Sequence, residues 1–330
     1  TKSIPLTVVD SYGNYYEGTT GIEVKARQSV GDSDLDWDES IIYFMLTDRF
    51  FNGDTSNDDP YNLNYDKSKR GTYQGGDFKG ITEKLDYLDN LGVNTIWISP
   101  VVENIQYDVR SVETNGESDQ PYFGYHGYWA SNFGELNPHF GSMEEFHTLI
   151  DEAHDRGIKI MVDVVLNHTG YGLKEIDGEL AEDKRPAGYP TDAERDKYSD
   201  IVRQGADVGT DEVVGELAGL PDVITENPEV RQQIIDWQTD WIEKATTAKG
   251  NTIDYFRVDT VKHVEDATWM AFKNAITEKM PQHKMIGEAW GASSDNQLGY
   301  LDTGMMDSLL DFGFKGIAHE FVSGNLKAAN

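Results

Sequence analysis

An α/β fold of the (β/α)8 TIM-barrel kind is predicted for most of this 330-residue chain by three observations. Short apolar runs alternate with helix-period patterns from Ser40 onward. Those runs are almost continuously apolar, as strands must be when helices cover both faces of a parallel sheet. The ionisable residues gather just past the runs, and an eight-stranded barrel carries its active site at the carboxyl ends of its strands.

Before the barrel, residues 1–36 alternate apolar and polar side chains at 4–9 and 21–26, with turn-forming Ser11 to Asn14 between them, which predicts a hairpin. The acidic stretch 31–34 then predicts a linker, so the opening is expected to be the tail of an upstream β-module. Strands are predicted at 41–46, 95–98, 158–165, 253–258, 284–287 and 308–312. Ile81, Leu85, Leu88 and Leu91 recur at helical spacing, as do Phe146, Leu149, Ile150 and Ala153, and then Val230, Ile234, Trp237, Trp241 and Ala245. Ser142 and Glu145 offer a capping box for the second of these helices. From His168 to about Thr225 the alternation is lost and the sequence turns polar and Gly-rich. A structureless insertion of that length is uncommon in a compact domain, so a subdomain is expected there. The predicted boundaries are 1–36, 37–168, 169–224 and 225–330.

Composition narrows the function classes. A formal net charge of −31 repels nucleic acid and anionic lipid and favours a neutral substrate or a cation ligand. No apolar run reaches the roughly 20 residues that span a bilayer, so no membrane partner is expected. The absence of cysteine excludes disulfides and thiolate metal sites. It is compatible with a secreted bacterial protein, and no charged-then-apolar leader precedes the first residues.

The chemistry concentrates in 254–263, Asp-Tyr-Phe-Arg-Val-Asp-Thr-Val-Lys-His. In an extended strand Arg257 and Asp259 point the same way, which places a guanidinium beside the carboxylate and favours its charged form. A structural ion pair at a strand end is the alternative from this stretch alone. Tyr128, Trp129 and Trp290 are likewise either core residues or rings that stack on the apolar C–H face of a sugar, with Tyr128 the favoured stacker.

Three segments fall in order on successive strands: 163–168 (Asp-Val-Val-Leu-Asn-His), 256–263, and 286–290 (Ile-Gly-Glu-Ala-Trp). Together they resemble the first three signature regions of the α-amylase family, glycoside hydrolase family 13. Residues 125–129 and 219–222 are similar to further motifs of that family. The resemblance implies that Asp259 is the nucleophile, Glu288 the general acid/base and Arg257 the residue that keeps the nucleophile charged. It implies sugar contacts for His126, Tyr128 and His168 on the non-reducing side of the scissile bond and for Lys262 and His263 on the leaving-group side, with Trp290 a further substrate-binding ring. A retaining glycosidase holds its two carboxyl groups about 5–5.5 Å apart, one charged and one protonated. Glu288 has no cation beside it in sequence, so its pKa is expected to rise relative to that of Asp259.

The same resemblance makes 169–224 domain B of the family and implies a structural Ca2+ held by Asn167, Asp222 and the backbone carbonyl of His263. A second oxygen-rich loop follows the first strand. Its Asn52, Asp54, Asn57, Asp58, Gly75 and Asp77 resemble the extra calcium site of cyclodextrin glycosyltransferases and related amylases. Oxygen donors are what calcium requires, although Asx side chains in loops commonly just cap turns. The family's fourth signature does not follow Glu288, and the sequence stops at Asn330 past the sixth predicted strand. About six barrel strands are therefore expected here, with a missing C-terminal part of the same protein as a candidate partner. The implied function is retaining endo-hydrolysis of α-1,4-glucosidic bonds in an α-glucan polysaccharide or oligosaccharide. A transglycosylase of the same family and a non-catalytic glucan-binding fragment are the alternatives.

Overall fold

The computed structural model describes residues 2–9, 14–22, 37–109, 121–171, 196, 198–203 and 212–324. The linker expected at 31–34 and much of the insertion expected at 169–224 lie outside the described residues. The chain divides into two compact units, 1–32 and 33–330.

In the first unit, β1 (Lys2–Val9) pairs antiparallel with β2 (Tyr15–Ile22), Val9 opposite Tyr15 and Lys2 opposite Ile22. The hairpin forms, but its second strand starts at Tyr15 rather than at Gly21. Tyr15, Tyr16, Thr19 and Thr20 are residues that suit a pleated strand, and they pair directly after a short connection.

In the second unit, β3 (Ile42–Met45) and β4 (Thr95–Ile98) are followed by a short antiparallel pair, β5 (Val102–Asn104) with β6 (Ala130–Leu136). Next come β7 (Lys159–Val164), a two-residue pair β8 (Val202–Arg203) with β9 (Asp222–Val223), then β10 (Tyr255–Val258), β11 (Lys284–Gly287) and β12 (Ser308–Leu309). Six of these make one sheet in the spatial order β12-β11-β10-β7-β4-β3, every neighbouring pair parallel. Strands that neighbour in chain order, joined by crossovers, are the pattern of a (β/α)8 barrel, and the six predicted strands are these six.

The helices are α1 (Thr47–Phe50), α2 (Phe78–Glu83), α3 (Leu85–Asn90), α4 (Met143–His154), α5 (Pro228–Lys244), α6 (Asp266–Lys279) and α7 (Phe312–Val322). The Ser142 to Glu145 capping box opens α4 as expected, and Phe146, Leu149, Ile150 and Ala153 are all buried. Two expectations are corrected. The helix expected through Ile81 and Leu91 is broken at Lys84, so α2 and α3 each aim their own apolar residues inward, and Leu91 is exposed. Gly92 at φ +85° turns the chain away just after it, closing α3 with Gly92 N–H to Asp89 O at 2.8 Å. The last strand stops at Leu309 rather than at Phe312. The cause is Asp311, whose carboxylate accepts the Phe314 N–H at 2.8 Å and caps α7. Among the described residues no helix is long and apolar enough to cross a membrane.

Candidate active site

Register brings the first two charged groups together. Arg257 on β10 is aligned with Asp163 on β7, and both side chains enter the sheet's carboxyl end. Arg257 Nη1 lies 3.0 Å from both carboxylate oxygens of Asp163 and 2.6 Å from Asp259 Oδ1, while Nη2 lies 2.9 Å from Glu288 Oε2. One buried guanidinium thus serves three carboxyl groups. Asp259 follows the end of β10, held by its N–H to Val164 O at 3.0 Å, and Glu288 follows β11, held by its N–H to Val258 O at 2.8 Å. Between them Thr260 adopts a left-handed conformation, φ +50°, and its N–H points at Glu288 Oε2 at 3.3 Å. Such strain in a β-branched residue persists where surrounding structure demands it, commonly at functional sites.

No cation stands beside Glu288 in sequence, but Arg257 reaches it across the sheet. Its carboxyl is nevertheless shifted upward, because burial raises it more than Arg257 lowers it, and the neighbouring Asp259 adds to the rise. Both carboxyl groups rest on that one guanidinium, Asp259 on Nη1 and Glu288 on Nη2.

Sequence reasoning missed Asp163 and Trp97. Asp163 is fully buried, accepts Trp97 Nε1–H at 3.0 Å and Tyr128 Oη–H at 2.6 Å, and is pushed up by burial to about 7 against the pull of Arg257. The available signal was a charged residue inside an otherwise apolar strand. Trp97 also presents its ring to the Arg257 guanidinium at 5.0 Å.

The expected sugar contacts surround this hub unequally. Tyr128 is half-buried and joined directly to it through Asp163. His126 Nδ1 accepts the Tyr128 N–H at 3.1 Å, and its ring stacks on that of Tyr128 with centroids 5.8 Å apart. Burial lowers His126 to about 3 and His168 to about 4, so both are neutral at physiological pH. His168 Nδ1 lies 3.2 Å from Asn167 Nδ2. Lys262 and His263 stand one short turn past Asp259, but they engage Glu212, at 3.4 Å and 2.7 Å. Trp290 is 65 % exposed against Phe312, whereas Trp129 is buried in a small core with Ile105, Tyr107, Tyr171 and Leu220, which settles it as a packing residue.

The calcium candidates fall in two places. Asn167 and Asp222 lie on paired segments, Val223 N–H bonding Asn167 O at 2.8 Å and His168 bridging to Asp222. Asn167 Oδ1 and Asp222 Oδ1 are buried with no hydrogen-bond partner, while the other Asp222 oxygen is taken by Arg203 and by Gly215 N–H at 3.2 Å. In the second place Asp77 caps α2 and also accepts the N–H groups of Gly53 and Asp54, and Asp54 caps the turn at Ser56. Asn52 bonds Asp58 at 2.6 Å, and Lys67 pairs with Asp58 at 2.6 Å. Gly75, at φ +93°, lies so close that a Cβ there would sit 2.0 Å from Asp58 Oδ1. Here too Asn52 Oδ1 and Asn57 Oδ1 are buried without partners. Among the described residues no three His, Cys, Asp or Glu side chains form a metal-ligating cluster, so a cation would need amide and carbonyl oxygens beside single carboxylates. Calcium accepts that donor set.

With this geometry in hand, known proteins give a consistent comparison. A family model described as the alpha amylase catalytic domain matches residues 44–329. A periplasmic alpha-amylase of Escherichia coli strain K12 is 33 % identical over 328 residues, covering 78 % of this chain and 48 % of that protein. A cyclomaltodextrin glucanotransferase of Klebsiella oxytoca is 30 % identical over 305 residues, covering 85 % and 43 %. The solved structure of an Anoxybacillus alpha-amylase superposes with a TM-score of 0.66 at 31 % identity, covering 85 % of this chain and 53 % of that one. The chain spans about half the length of these relatives.

Proposed function

Because the chain belongs to the α-amylase catalytic-domain family, we propose that the protein it represents is a retaining glycoside hydrolase that cuts internal α-1,4-glucosidic bonds of starch and related glucans. The observation that carries this reading is the shared guanidinium: Arg257 holds Asp259 at 2.6 Å and Glu288 at 2.9 Å, with Glu288 shifted toward its protonated form. Asp259 attacks the anomeric carbon as the glycosidic bond breaks, while Glu288 gives its proton to the departing oxygen. Glu288, now a carboxylate, then takes a proton from water as that water displaces Asp259 from the sugar. Two carboxyls held by one guanidinium support retention over inversion, which needs about 6.5–9.5 Å to admit water. Tyr128 and His126 offer an aromatic and polar wall for the sugar on the non-reducing side, joined by His168. Lys262 and His263 would meet the leaving-group side, and exposed Trp290 offers a further ring for a sugar face.

Calcium fits as a structural ion rather than a participant. Asn167 and Asp222, with the His263 carbonyl, would tie the inserted segment to the barrel. Asn52, Asp54, Asn57, Asp58, Gly75 and Asp77 would order the loop after β3. The four unpartnered amide and carboxylate oxygens are what supports this. We place the protein outside the cytoplasm, on its cysteine-free composition and on the periplasmic amylase among its relatives. Transglycosylation is the second reading, favoured by the glucanotransferase relative and by the oxygen-rich loop.

The test uses the full-length protein on soluble starch. Asp259→Asn should lower kcat by about 10³-fold or more while glucan binding persists, because a covalent step is lost rather than a contact. A variant with a tenth of normal kcat would sink the assignment. Wild-type products decide the second reading, linear sugars for hydrolysis and cyclic ones for transfer.

A further inference from the structure

Tyr128 must stand at one height in the cleft for its O–H to reach Asp163, yet the backbone ladder that should hold it there is irregular. The β5–β6 register shifts on both sides of Glu103 and resumes with Asn104 opposite Ala130 and the Ile105 N–H on Trp129 O at 2.9 Å, while Tyr128 lies just before β6, outside the ladder. The Asn104 side chain holds the segment where the ladder ends. Its Nδ2 donates to Gly127 O at 3.1 Å and to Val102 O at 2.8 Å, and its Oδ1 accepts the Trp129 N–H at 2.7 Å. Asn104 is 2 % exposed, and these three bonds satisfy both its N–H groups and its carbonyl. Two of them grip the peptide groups that flank Tyr128.

The surroundings fit that grip. Gly127 takes φ +92°, and a Cβ there would meet Pro100 O at 2.8 Å, so the turn is pinned from its other side. A Cβ at Gly124 would press on the Asn104 Cβ at 3.1 Å. Beyond the turn, Tyr128 Oη–H reaches Asp163 at 2.6 Å, and Asp163 holds Arg257. Burial pushes the Tyr128 phenol up, so it remains a donor.

Resting on the sugar-contact role given to Tyr128 above, we infer that Asn104 is a positioning residue that sets the height of Tyr128 over the carboxylate hub. Only an amide suits the place, because a carbonyl must be met by a donor and an N–H by an acceptor within one planar group. Aspartate supplies no donor, and serine supplies a single short one. Asn104 touches no reacting atom. Its effect on chemistry passes through one ring.

The experiment compares Asn104→Ala and Asn104→Ser in the full-length protein, each with Tyr128 intact and with Tyr128→Ala, on a maltooligosaccharide. Rates are counted per folded molecule from near-ultraviolet circular dichroism. With Tyr128 present, Asn104→Ala should lower kcat about tenfold with KM moving less than about threefold, and with Tyr128→Ala the same change should cost under about twofold. Asn104→Ser should fall between, and it carries the comparison if the alanine variant does not fold. Equal losses in both backgrounds, unchanged kcat per folded molecule, or failure of both variants to fold would overturn the inference and leave a structural residue. An active Asp259→Asn would instead overturn the functional reading, and this inference with it.

Discussion

The strands β7 and β10 carry a charged cluster at each end, and the two clusters balance in opposite ways. At the carboxyl end one guanidinium, Arg257, serves three carboxyl groups, Asp163, Asp259 and Glu288. At the amino end one carboxylate, Asp254, serves two bases, with His154 Nε2 at 2.7 Å and Lys159 Nζ at 3.3 Å, and it also accepts the Ile160 N–H at 2.8 Å. The amino-end cluster is satisfied by its own members. The carboxyl-end cluster has more acid than its one cation, and Glu288 is shifted upward there, by burial first and then by the neighbouring Asp259. Surplus of one charge type in a buried group marks chemistry, whereas balance marks support.

The sharpest way to break this contrast is Arg257→Lys. An ammonium is a point charge and cannot hold Asp163 on one side and Glu288 on the other, so kcat should fall about 10²–10³-fold. Asp163 would keep only Trp97 and Tyr128 as firm donors, and stability should fall by about 3 kcal/mol, as when one partner of a buried pair is removed. Denaturant unfolding and starch hydrolysis together measure both. Activity within tenfold of normal would mean that the shared cation is not what organises the carboxyl end.

A second test adds charge to that end instead of removing it. If calcium settles on the unpartnered oxygens of Asn167 and Asp222 or of Asn52 and Asn57, a hundredfold excess over Kd should stabilise the fold by about 2.7 kcal/mol, and a chelator should lower Tm accordingly. Asp222→Ala should remove most of the shift if the first site dominates, and Asp54→Ala if the second does. Identical melting curves with calcium and with chelator would leave both sets of oxygens without a cation.

The comparison also explains what the sequence disclosed. The six barrel strands were legible because their residues are apolar on both faces, and Arg257 with Asp259 was legible because a two-residue spacing in a strand fixes a shared side. Pairings across strands were not. Asp163 meets Arg257 through register, and Glu288 meets it from a third strand, so the cation at Glu288 does not show in its one-dimensional neighbourhood. Asn104 was hidden for the same reason, two of its three partners being backbone groups more than twenty residues away. The break at Lys84 and the early start of α7 depended on where caps form, which periodicity does not encode.

The smallest expected effect is at the amino end. Burial by itself lowers the His154 imidazole, but its bond to the Asp254 carboxylate outweighs this, and the net shift is upward. A base whose folded pKa is raised lends stability that is fully present below its ordinary value near 6.5 and is lost as pH climbs through the folded value. Asp254→Asn removes the charge while keeping an oxygen for the Ile160 N–H, so it should cost about 1 kcal/mol at pH 6 and less at pH 9, where only Lys159 still feels the loss. The rate on starch should stay within about twofold at either pH, because no member of this cluster lies on the reacting face of the sheet. Unfolding free energies at the two pH values check the stability side, and kcat checks the rest. A tenfold fall in kcat, or a destabilisation that grows with pH, would show that the balanced cluster does more than support the strands.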